Sequence, residues 1–271
     1  MNMMQKVSTK KEDTLHAKLI LQSDNNAQML TSDDDIVVDR SYEGVDQLHC
    51  IQNNMPNAVS DLVAMILKKV GRRGDVLDFG AGIGTIAREW RRQTGVTPDC
   101  IDIDPSLREI LHKDGFEASQ SLKAMGRLYD GIYSSHVIEH IEDDEEILRQ
   151  IYNHTQPGGW LVIHVPSLQW LYNHIDRSLG HFRRYEYNDL VSKVEAVGYR
   201  VELCRYHDCI GVLAVLLEKI IGDDEAEKLH NSQLLKIYDR MIYPISTFFD
   251  RIGMNRVIGK NLFLLARRPE D

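Results

Sequence analysis

The chain has 271 residues, of which 43% are hydrophobic and 27% charged, the composition of an ordinary soluble globular protein. Its net charge of −9 disfavours a nucleic-acid partner, because a negative field repels a phosphate backbone. The four cysteines have no regular spacing and predict reduced thiols in a cytoplasmic protein. The longest apolar run is about half of the roughly 20 residues that span a bilayer, so we expect no stable membrane insertion.

The N-terminal part has low hydrophobicity and carries an acidic run at residues 32–35. This composition predicts an N-terminal arm or cap, residues 1–55, that is partly flexible. Over residues 57–70 the apolar side chains recur at helical spacing, and Gly71 is a typical helix stop. We therefore expect the core to begin near residue 56.

Residues 76–85 predict a buried strand that leads into a glycine-rich loop and then a helix. Gly80, Gly82 and Gly84 let the backbone approach a ligand more closely than a Cβ would allow. A dinucleotide-binding loop has the spacing G-x-G-x-x-G, whereas this one reads G-x-G-x-G after the acid Asp78. The loop therefore predicts a nucleoside-bearing cofactor, and its spacing disfavours a nicotinamide oxidoreductase.

A second short strand is predicted just before Asp102. Asp104 and Pro105 then have the pattern of a helix N-cap followed by the first helical residue. Asp102 follows Gly84 by 18 residues, close to the roughly 20 at which an acid meets ribose hydroxyls in doubly wound folds. Since a carboxylate accepts hydrogen bonds from both hydroxyls of a diol, Asp102 is the predicted ribose contact; the alternative is a solvated strand end.

Residues 129–140 predict another buried strand, which runs out into a polar turn with histidines. Acids at residues 142–146 begin an amphipathic helix, where they favour the positive end of its dipole. The Pro-Gly-Gly run at residues 157–159 predicts a turn, and the apolar residues 160–166 predict the next strand.

The C-terminal part continues this alternation of helix and strand. A helix is predicted over residues 188–196, a strand over 199–206 and a final strand over 261–267. The 50 or so residues between the last two strands have helical patterns, and insertions of this length are usually functional. We therefore predict a catalytic core at residues 56–207, a helical lid above the substrate site at 208–260, and the last strand and tail at 261–271.

These segments together resemble class I S-adenosylmethionine (SAM) methyltransferases. The resemblance implies an α/β fold with a doubly wound, Rossmann-like sheet of seven mostly parallel strands, the last one antiparallel, and a helical insertion between strands six and seven. It implies SAM as cofactor and S-adenosylhomocysteine as product. The implied cofactor contacts are Asp78, Phe79, Gly80, Ala81, Gly82, Gly84, Asp102, Ile103, Ser121, Leu122, Ser135 and His136.

The predicted catalytic residues are His136, His140 and His181, because an imidazole suits proton transfer at neutral pH. His136, Glu139 and His140 share one face if the segment begins a helix. They resemble the E-x-x-E-H metal motif of small-RNA 2′-O-methyltransferases and ubiquinone-pathway O-methyltransferases, with His181 in the place of a further histidine. His136 stands where those families have glutamate. Both a metal at these four residues and a metal-free mechanism therefore stay open.

Tyr42, Arg183, Arg184 and Tyr185 are the predicted substrate contacts. Paired arginines suit a carboxylate or phosphate, or they pair with the acids of the protein itself. The predicted activity is SAM-dependent methyl transfer to an oxygen or nitrogen of a small molecule. The alternatives are a 2′-O-type methyltransferase of RNA or nucleotides, disfavoured by the lack of a basic stripe, and a non-catalytic SAM-binding protein. The oligomeric state stays open, and a dimer is one alternative.

Overall fold

The computed structural model describes residues 45–72, 74–221 and 232–270. Most of the predicted N-terminal arm, with Tyr42, lies outside these residues, and so do residues 222–231 of the predicted insertion. The account below concerns the described residues.

Seven strands form one sheet. Their bounds are β1 Val76–Phe79, β2 Asp99–Ile101, β3 Ala118–Ser119, β4 Tyr129–Ser135, β5 Thr155–Pro166, β6 Arg200–His207 and β7 Asn261–Arg267. The α-helices of the described residues are α1 Val45–Asn54, α2 Pro56–Val70, α3 Thr85–Thr94, α4 Pro105–Lys113, α5 Leu122–Met125, α6 Asp144–His154, α7 His174–Ser178, α8 Tyr187–Ala196, α9 Gly211–Ile221, α10 Ser232–Ile237 and α11 Tyr243–Arg251.

The strand order in the sheet is β3-β2-β1-β4-β5-β7-β6. Strands β1 to β5 are parallel, while β7 lies antiparallel between β5 and β6. The predicted fold is confirmed, including the helices between β6 and β7. Because the strand order reverses between β1 and β4, the crevice beyond the carboxyl ends of these two strands is where such sheets bind ligands.

Two buried apolar clusters cover the two faces of the sheet. Leu77 and Ile132 belong to one cluster, which also contains Leu148 of α6. Tyr133 belongs to the other cluster, with Val63 of α2. Because successive side chains of a strand point to opposite faces, neighbours such as Ile132 and Tyr133 fall in different clusters. Helices therefore bury both faces, which explains why these strands are apolar almost throughout.

Side-chain caps determine where the helices that follow the strands begin. The Asp104 carboxylate accepts the backbone N–H of Ser106 at 2.7 Å at the start of α4. The Asp143 carboxylate accepts the backbone N–H of Glu146 at 3.0 Å at the start of α6. Each cap satisfies a donor that has no partner within its helix, so the loops after β2 and β4 end at defined residues.

The Pro-Gly-Gly run does not form the predicted turn. It lies inside β5, which begins at Thr155 directly after α6 ends at His154. Thr155 pairs with Tyr129 of β4, and the register shifts between Tyr129 and Gly131. The backbone N–H of Gly158 donates to the carbonyl of Arg268 at 3.0 Å. The run therefore forms a bulge within β5, with residues 156–159 opposite residue 130 and Gly158 at a φ of 76°, and does not form a separate turn before the strand.

The segment between β6 and β7 packs against two parts of the core. Val212 and Val215 of α9 cluster with Leu168 and Leu171, which follow β5. The carboxylate of Asp239 accepts the backbone N–H groups of the first turn of α2 at 3.0 and 2.9 Å. The proposed lid position above the substrate site stays a prediction. In the part of the chain that is described, no helix has the length and apolar character needed to cross a membrane.

Candidate functional site

The glycine loop connects β1 to α3 through left-handed backbone conformations. Gly80, Gly82 and Gly84 have φ angles of 79°, 55° and 81°, a region that residues with a Cβ rarely adopt. A Cβ at Gly80 would overlap the side chain of Val137, which follows β4. The loop therefore lies directly against the turn that carries the predicted catalytic histidines.

The side chain of Asp102 lies one residue beyond β2 and holds the glycine loop. Its Oδ2 accepts the backbone N–H of Gly82 at 2.8 Å, and its Oδ1 accepts that of Asp104 at 3.0 Å. Burial raises the pKa of Asp102, and these two hydrogen bonds oppose the rise. Next to it, the side chain of Ile103 is exposed. The predicted ribose contact therefore lies at the edge of the crevice and is joined to the loop.

Asp78, the acid before the loop, is buried in β1 with 2% of its surface exposed. Its Oδ2 has no hydrogen-bond partner among the described residues. Burial raises the pKa of Asp78 from 3.8 to about 8, and the charge of Asp102 adds to the rise. A buried carboxyl oxygen without a partner is costly, so the site suits a ligand with a cationic or hydrogen-bond-donating group.

We expect Asp78→Asn to stabilise the protein in the absence of ligand. The wild-type carboxyl has a pKa of about 8 when folded against 3.8 ordinarily, so folding takes up a proton between these pH values. Wild-type stability should therefore decrease as the pH rises through this window, by on the order of 5 kcal/mol in total. The amide takes up no proton, so the variant avoids this loss.

Urea unfolding of both proteins at pH 5 and pH 8 tests this expectation. The gain in unfolding free energy should be larger at pH 8. Asp75→Asn, which removes an exposed carboxylate three residues earlier, is the matched control and should change little at either pH. An equal gain at both pH values would contradict the raised pKa.

Two of the predicted adenine contacts have clear structural partners. The hydroxyl of Ser121 accepts the backbone N–H of Ala124 at 3.2 Å and caps α5. The side chain of Leu122 is buried in the cluster that contains Phe79 and Ile101. A role of Ser121 and Leu122 toward adenine stays a prediction.

The turn after β4 differs from the predicted helix start. His136 has a positive φ of 56°, and only a short 3-10 helix, Ile138–His140, follows it. The backbone N–H of His136 donates to the carbonyl of His164 at 2.8 Å, which extends the sheet ladder and excludes a helix at this residue. Nevertheless, its Nδ1 lies 3.4 Å from Oε1 of Glu139.

Glu139 is the centre of a polar cluster behind this turn. Its side chain is fully buried, and its carboxylate makes no hydrogen bond of good geometry among the described residues, although Nδ1 of His136 lies 3.4 Å from Oε1. Burial opposes its ionisation, but the imidazoles of His136, His140 and His181 outweigh burial and lower its pKa. Ligand atoms of Glu139, His140 and His181 lie within 4.8 Å of one another. Three of the four predicted metal ligands are thus brought together, and His136 lies beside them.

Asp176 orients His181 toward this cluster. His181 Nδ1 lies 2.8 Å from Oδ1 of Asp176, and Arg184 Nε donates to Oδ2 of the same carboxylate at 2.8 Å. Because the carboxylate only accepts, the proton of His181 is on Nδ1. Its Nε2 lies 4.0 Å from Oε1 of Glu139. Asp176 was not among the predicted site residues, although a carboxylate five residues before a predicted catalytic histidine pointed to it.

The predicted substrate arginines pair with acids of the protein itself. Arg183 Nη1 lies 2.8 Å from Oδ2 of Asp144, and the hydroxyl of Tyr185 donates to the same oxygen at 2.8 Å. Arg184 is engaged by Asp176. Tyr185 is fully buried. Arg183 and Arg184 were predicted either to bind a carboxylate or phosphate of the substrate or to pair with acids of the protein. The structure has the second arrangement.

A family model described as a methyltransferase domain matches residues 51–203, more than half of the chain. The chain belongs to this methyltransferase family. No curated protein matches the sequence.

Several solved structures have a fold similar to that of this methyltransferase. A SAM-dependent methyltransferase from Archaeoglobus fulgidus is 16% identical, with 82% of this chain and 99% of that chain covered and a TM-score of 0.53. Phosphoethanolamine N-methyltransferase 2 of Haemonchus contortus, solved with S-adenosylhomocysteine, is 17% identical, with 86% and 59% covered and a TM-score of 0.55. The [4+2]-cyclase SpnF is 14% identical, with 86% and 98% covered and a TM-score of 0.54. At these identities the likeness establishes the fold alone.

The chain is thus a methyltransferase by family, and it has the fold of a SAM-dependent methyltransferase. Its own residues fit SAM. The sheet ends in a glycine loop whose backbone is open to a ligand, and the unpartnered oxygen of Asp78 suits the ammonium of the methionine part. Asp102 keeps acceptor capacity for a ribose diol beyond its two backbone hydrogen bonds.

Proposed function

We propose that this methyltransferase transfers the methyl group of SAM to an oxygen or nitrogen of a small-molecule acceptor. The observation that carries the proposal is the contact of Gly80 with Val137. It brings the cofactor loop against the turn with His136 and His140. Donor and acceptor sites thereby adjoin, as an in-line displacement requires.

The glycine loop, Asp78 and Asp102 would hold the cofactor. SAM supplies an electrophilic methyl group on a sulfonium, so the enzyme mainly has to align the two reactants. Ser135, the last residue of β4, and His136, which follows it, lie beside the loop and would border the methyl group. The net charge of −9 favours an acceptor without a polyphosphate backbone.

The cluster of Glu139, His140 and His181 would bind the polar end of the acceptor. Burial lowers the pKa of His140, and the charge of Glu139 opposes this. The His140 imidazole therefore stays neutral at neutral pH. The Nε2 of His181 faces Glu139 in the same cluster. Together they favour an acceptor with hydroxyl or amine donors.

Calorimetric titration with SAM and S-adenosylhomocysteine tests the cofactor first, and mass spectrometry of products from a panel of small phenols, alcohols and amines tests transfer. We expect micromolar SAM binding and a mass gain of one methyl group on at least one acceptor. Binding of NAD with no binding of SAM would contradict the proposal. SAM binding without transfer to any acceptor would favour the non-catalytic alternative.

A second candidate mechanism uses the same cluster to hold a divalent metal. It is favoured by the unpartnered carboxylate of Glu139 and by the Asp176 hydrogen bond, since metal-bound histidines are commonly oriented by such a carboxylate. Two imidazoles and one carboxylate suit Zn, Mn or Fe better than Mg. A metal there would hold an acceptor oxygen in place.

Elemental analysis of the purified enzyme tests the metal. If the site holds one, we expect about one ion per chain in the wild type, and a loss of that ion in Glu139→Gln, because the amide is a poorer ligand. Glu142→Gln, at an exposed acid three residues away, is the matched control and should keep the ion. Metal-free protein whose activity is unchanged by chelators would exclude this mechanism.

A further inference from the structure

Five polar side chains form an unbroken chain of hydrogen bonds across one end of the sheet. Ser135 Oγ lies 3.1 Å from His164 Nδ1, and His164 Nε2 lies 3.1 Å from His207 Nδ1. His207 Nε2 lies 3.0 Å from the hydroxyl of Tyr243, which donates to Oδ2 of Asp61 at 3.1 Å. The proposed function gives no part to four of these residues, namely His164, His207, Tyr243 and Asp61.

The chain connects the cofactor crevice to the protein surface. Ser135 ends β4, and His164 is its register partner on β5. His164, His207 and Tyr243 are buried, with 6%, 7% and 3% of their surface exposed. Asp61 of α2 has 29% of its side chain exposed and lines a surface groove of about 290 Å³. One end therefore faces the reaction and the other faces solvent.

The hydrogen bonds have a single consistent direction. A carboxylate only accepts, so Tyr243 donates to Asp61 and accepts from His207 Nε2–H. A neutral imidazole has one donor, so Nδ1 of His207 accepts from His164 Nε2–H. For the same reason Nδ1 of His164 accepts from the hydroxyl of Ser135. Every donor along the chain thus points from the crevice toward Asp61.

The surroundings keep both imidazoles neutral, as this arrangement requires. Burial lowers the pKa of His164 well below its ordinary value, and the charge of Lys260, or of His136 or His207 whenever either is protonated, acts in the same direction. Burial also lowers the pKa of His207, with Lys260 acting in the same direction. The carboxylates that oppose this at His207 are Asp208, Asp250 and Asp61.

We propose that this chain is a proton relay that removes the proton of the methyl acceptor and delivers it to Asp61. The inference rests on the proposed function, because methylation of an O–H or N–H group releases one proton. A lone pair of the oxygen or nitrogen forms the new bond to the methyl carbon, the carbon–sulfur pair stays on sulfur, and the O–H or N–H bonding pair stays on the acceptor atom as its proton leaves.

Each member of the relay takes one proton and gives one. Ser135 takes the proton of the acceptor and gives its own to Nδ1 of His164. His164 gives its Nε2 proton to His207, which gives its Nε2 proton to Tyr243. Tyr243 gives its hydroxyl proton to Asp61, which releases it to solvent. Rotation of the hydroxyls and reorientation of the two rings restore the starting arrangement between turnovers.

Tyr243→Phe interrupts the relay while it keeps the aromatic ring. We expect turnover at neutral pH to decrease about 10-fold, within the range of proton-transfer contributions, with SAM affinity unchanged by calorimetry. The deficit should narrow as the pH rises, because hydroxide then removes the proton directly. Asp61→Asn should show the same decrease in turnover, the same pH dependence and the same unchanged SAM affinity. Tyr199→Phe is the matched control: its buried hydroxyl contacts only the hydroxyl of Thr155 among the hydrogen bonds described, and its turnover should equal that of the wild type.

Nitrogen-15 spectra of the histidine rings give a readout that does not depend on activity. The relay requires His164 and His207 to be neutral, with the proton on Nε2 in the resting protein. A proton on Nδ1 of either ring, or wild-type turnover of Tyr243→Phe at every pH, would overturn the relay. A wild-type protein that binds SAM but methylates no acceptor would instead count against the proposed function, and the ring tautomers would still decide the polarity of the chain.

Discussion

Asp102→Asn is expected to weaken SAM binding by roughly 10- to 100-fold, the equivalent of one hydrogen bond of about 1.5–3 kcal/mol to a charged group. The carboxylate is the proposed ribose acceptor, and it also holds the glycine loop through the N–H of Gly82. An amide accepts at one position only, so the loop and the ribose would compete for it. Calorimetric titration measures the change directly.

The pH dependence separates this role from a general loss of structure. Because burial raises the pKa of Asp102, its carboxylate begins to protonate above the ordinary range, and wild-type affinity for SAM should decrease at mildly acidic pH. The Asn variant should lack this component. Asp189→Asn, at an exposed acid of α8, is the matched control. Unchanged SAM affinity in Asp102→Asn would show that the cofactor lies elsewhere.

His181→Ala is expected to lower kcat/KM for the acceptor by about 100-fold or more, the lower end of what misplacement or loss of a catalytic group costs. The imidazole lies beside Glu139 and is oriented by Asp176. Its loss removes one of the polar groups that would bind the acceptor. SAM affinity should change less than about two-fold, because the cofactor residues are on other strands.

A structural explanation of the His181 effect is tested separately. The variant removes one of the side-chain partners of Asp176, which keeps Arg184 and the backbone N–H of Asn173, so its thermal unfolding must be compared with that of the wild type. His112→Ala, which removes an exposed imidazole at the end of α4, is the control and should keep full activity. Wild-type kcat/KM in a folded His181→Ala protein would remove His181 from the catalytic residues.

The order of strands and helices and the positions of the cofactor loop and Asp102 followed from the sequence alone. These features depend on local properties, such as the apolar runs of β1 and β4, the glycine spacing at residues 80–84 and the cap at Asp104. Backbone preferences and periodicity act over a few residues, so a single sequence contains them. The resemblance to known methyltransferases then supplied the strand topology and the cofactor.

Tertiary structure alone decided how distant side chains combine. Pairing with β4 and the segment after β7 placed Pro-Gly-Gly inside β5, and the hydrogen bond of His136 to His164 excluded the predicted helix start. The relay joins Asp61 to Tyr243, which are 182 residues apart. His164 is the one histidine of the apolar strand β5, so the sequence indicated a buried polar group at this position. Its hydrogen bond to His207 depends on the sheet order, in which β7 lies between β5 and β6. Such contacts are set by sheet order and packing, which periodicity and spacing do not contain.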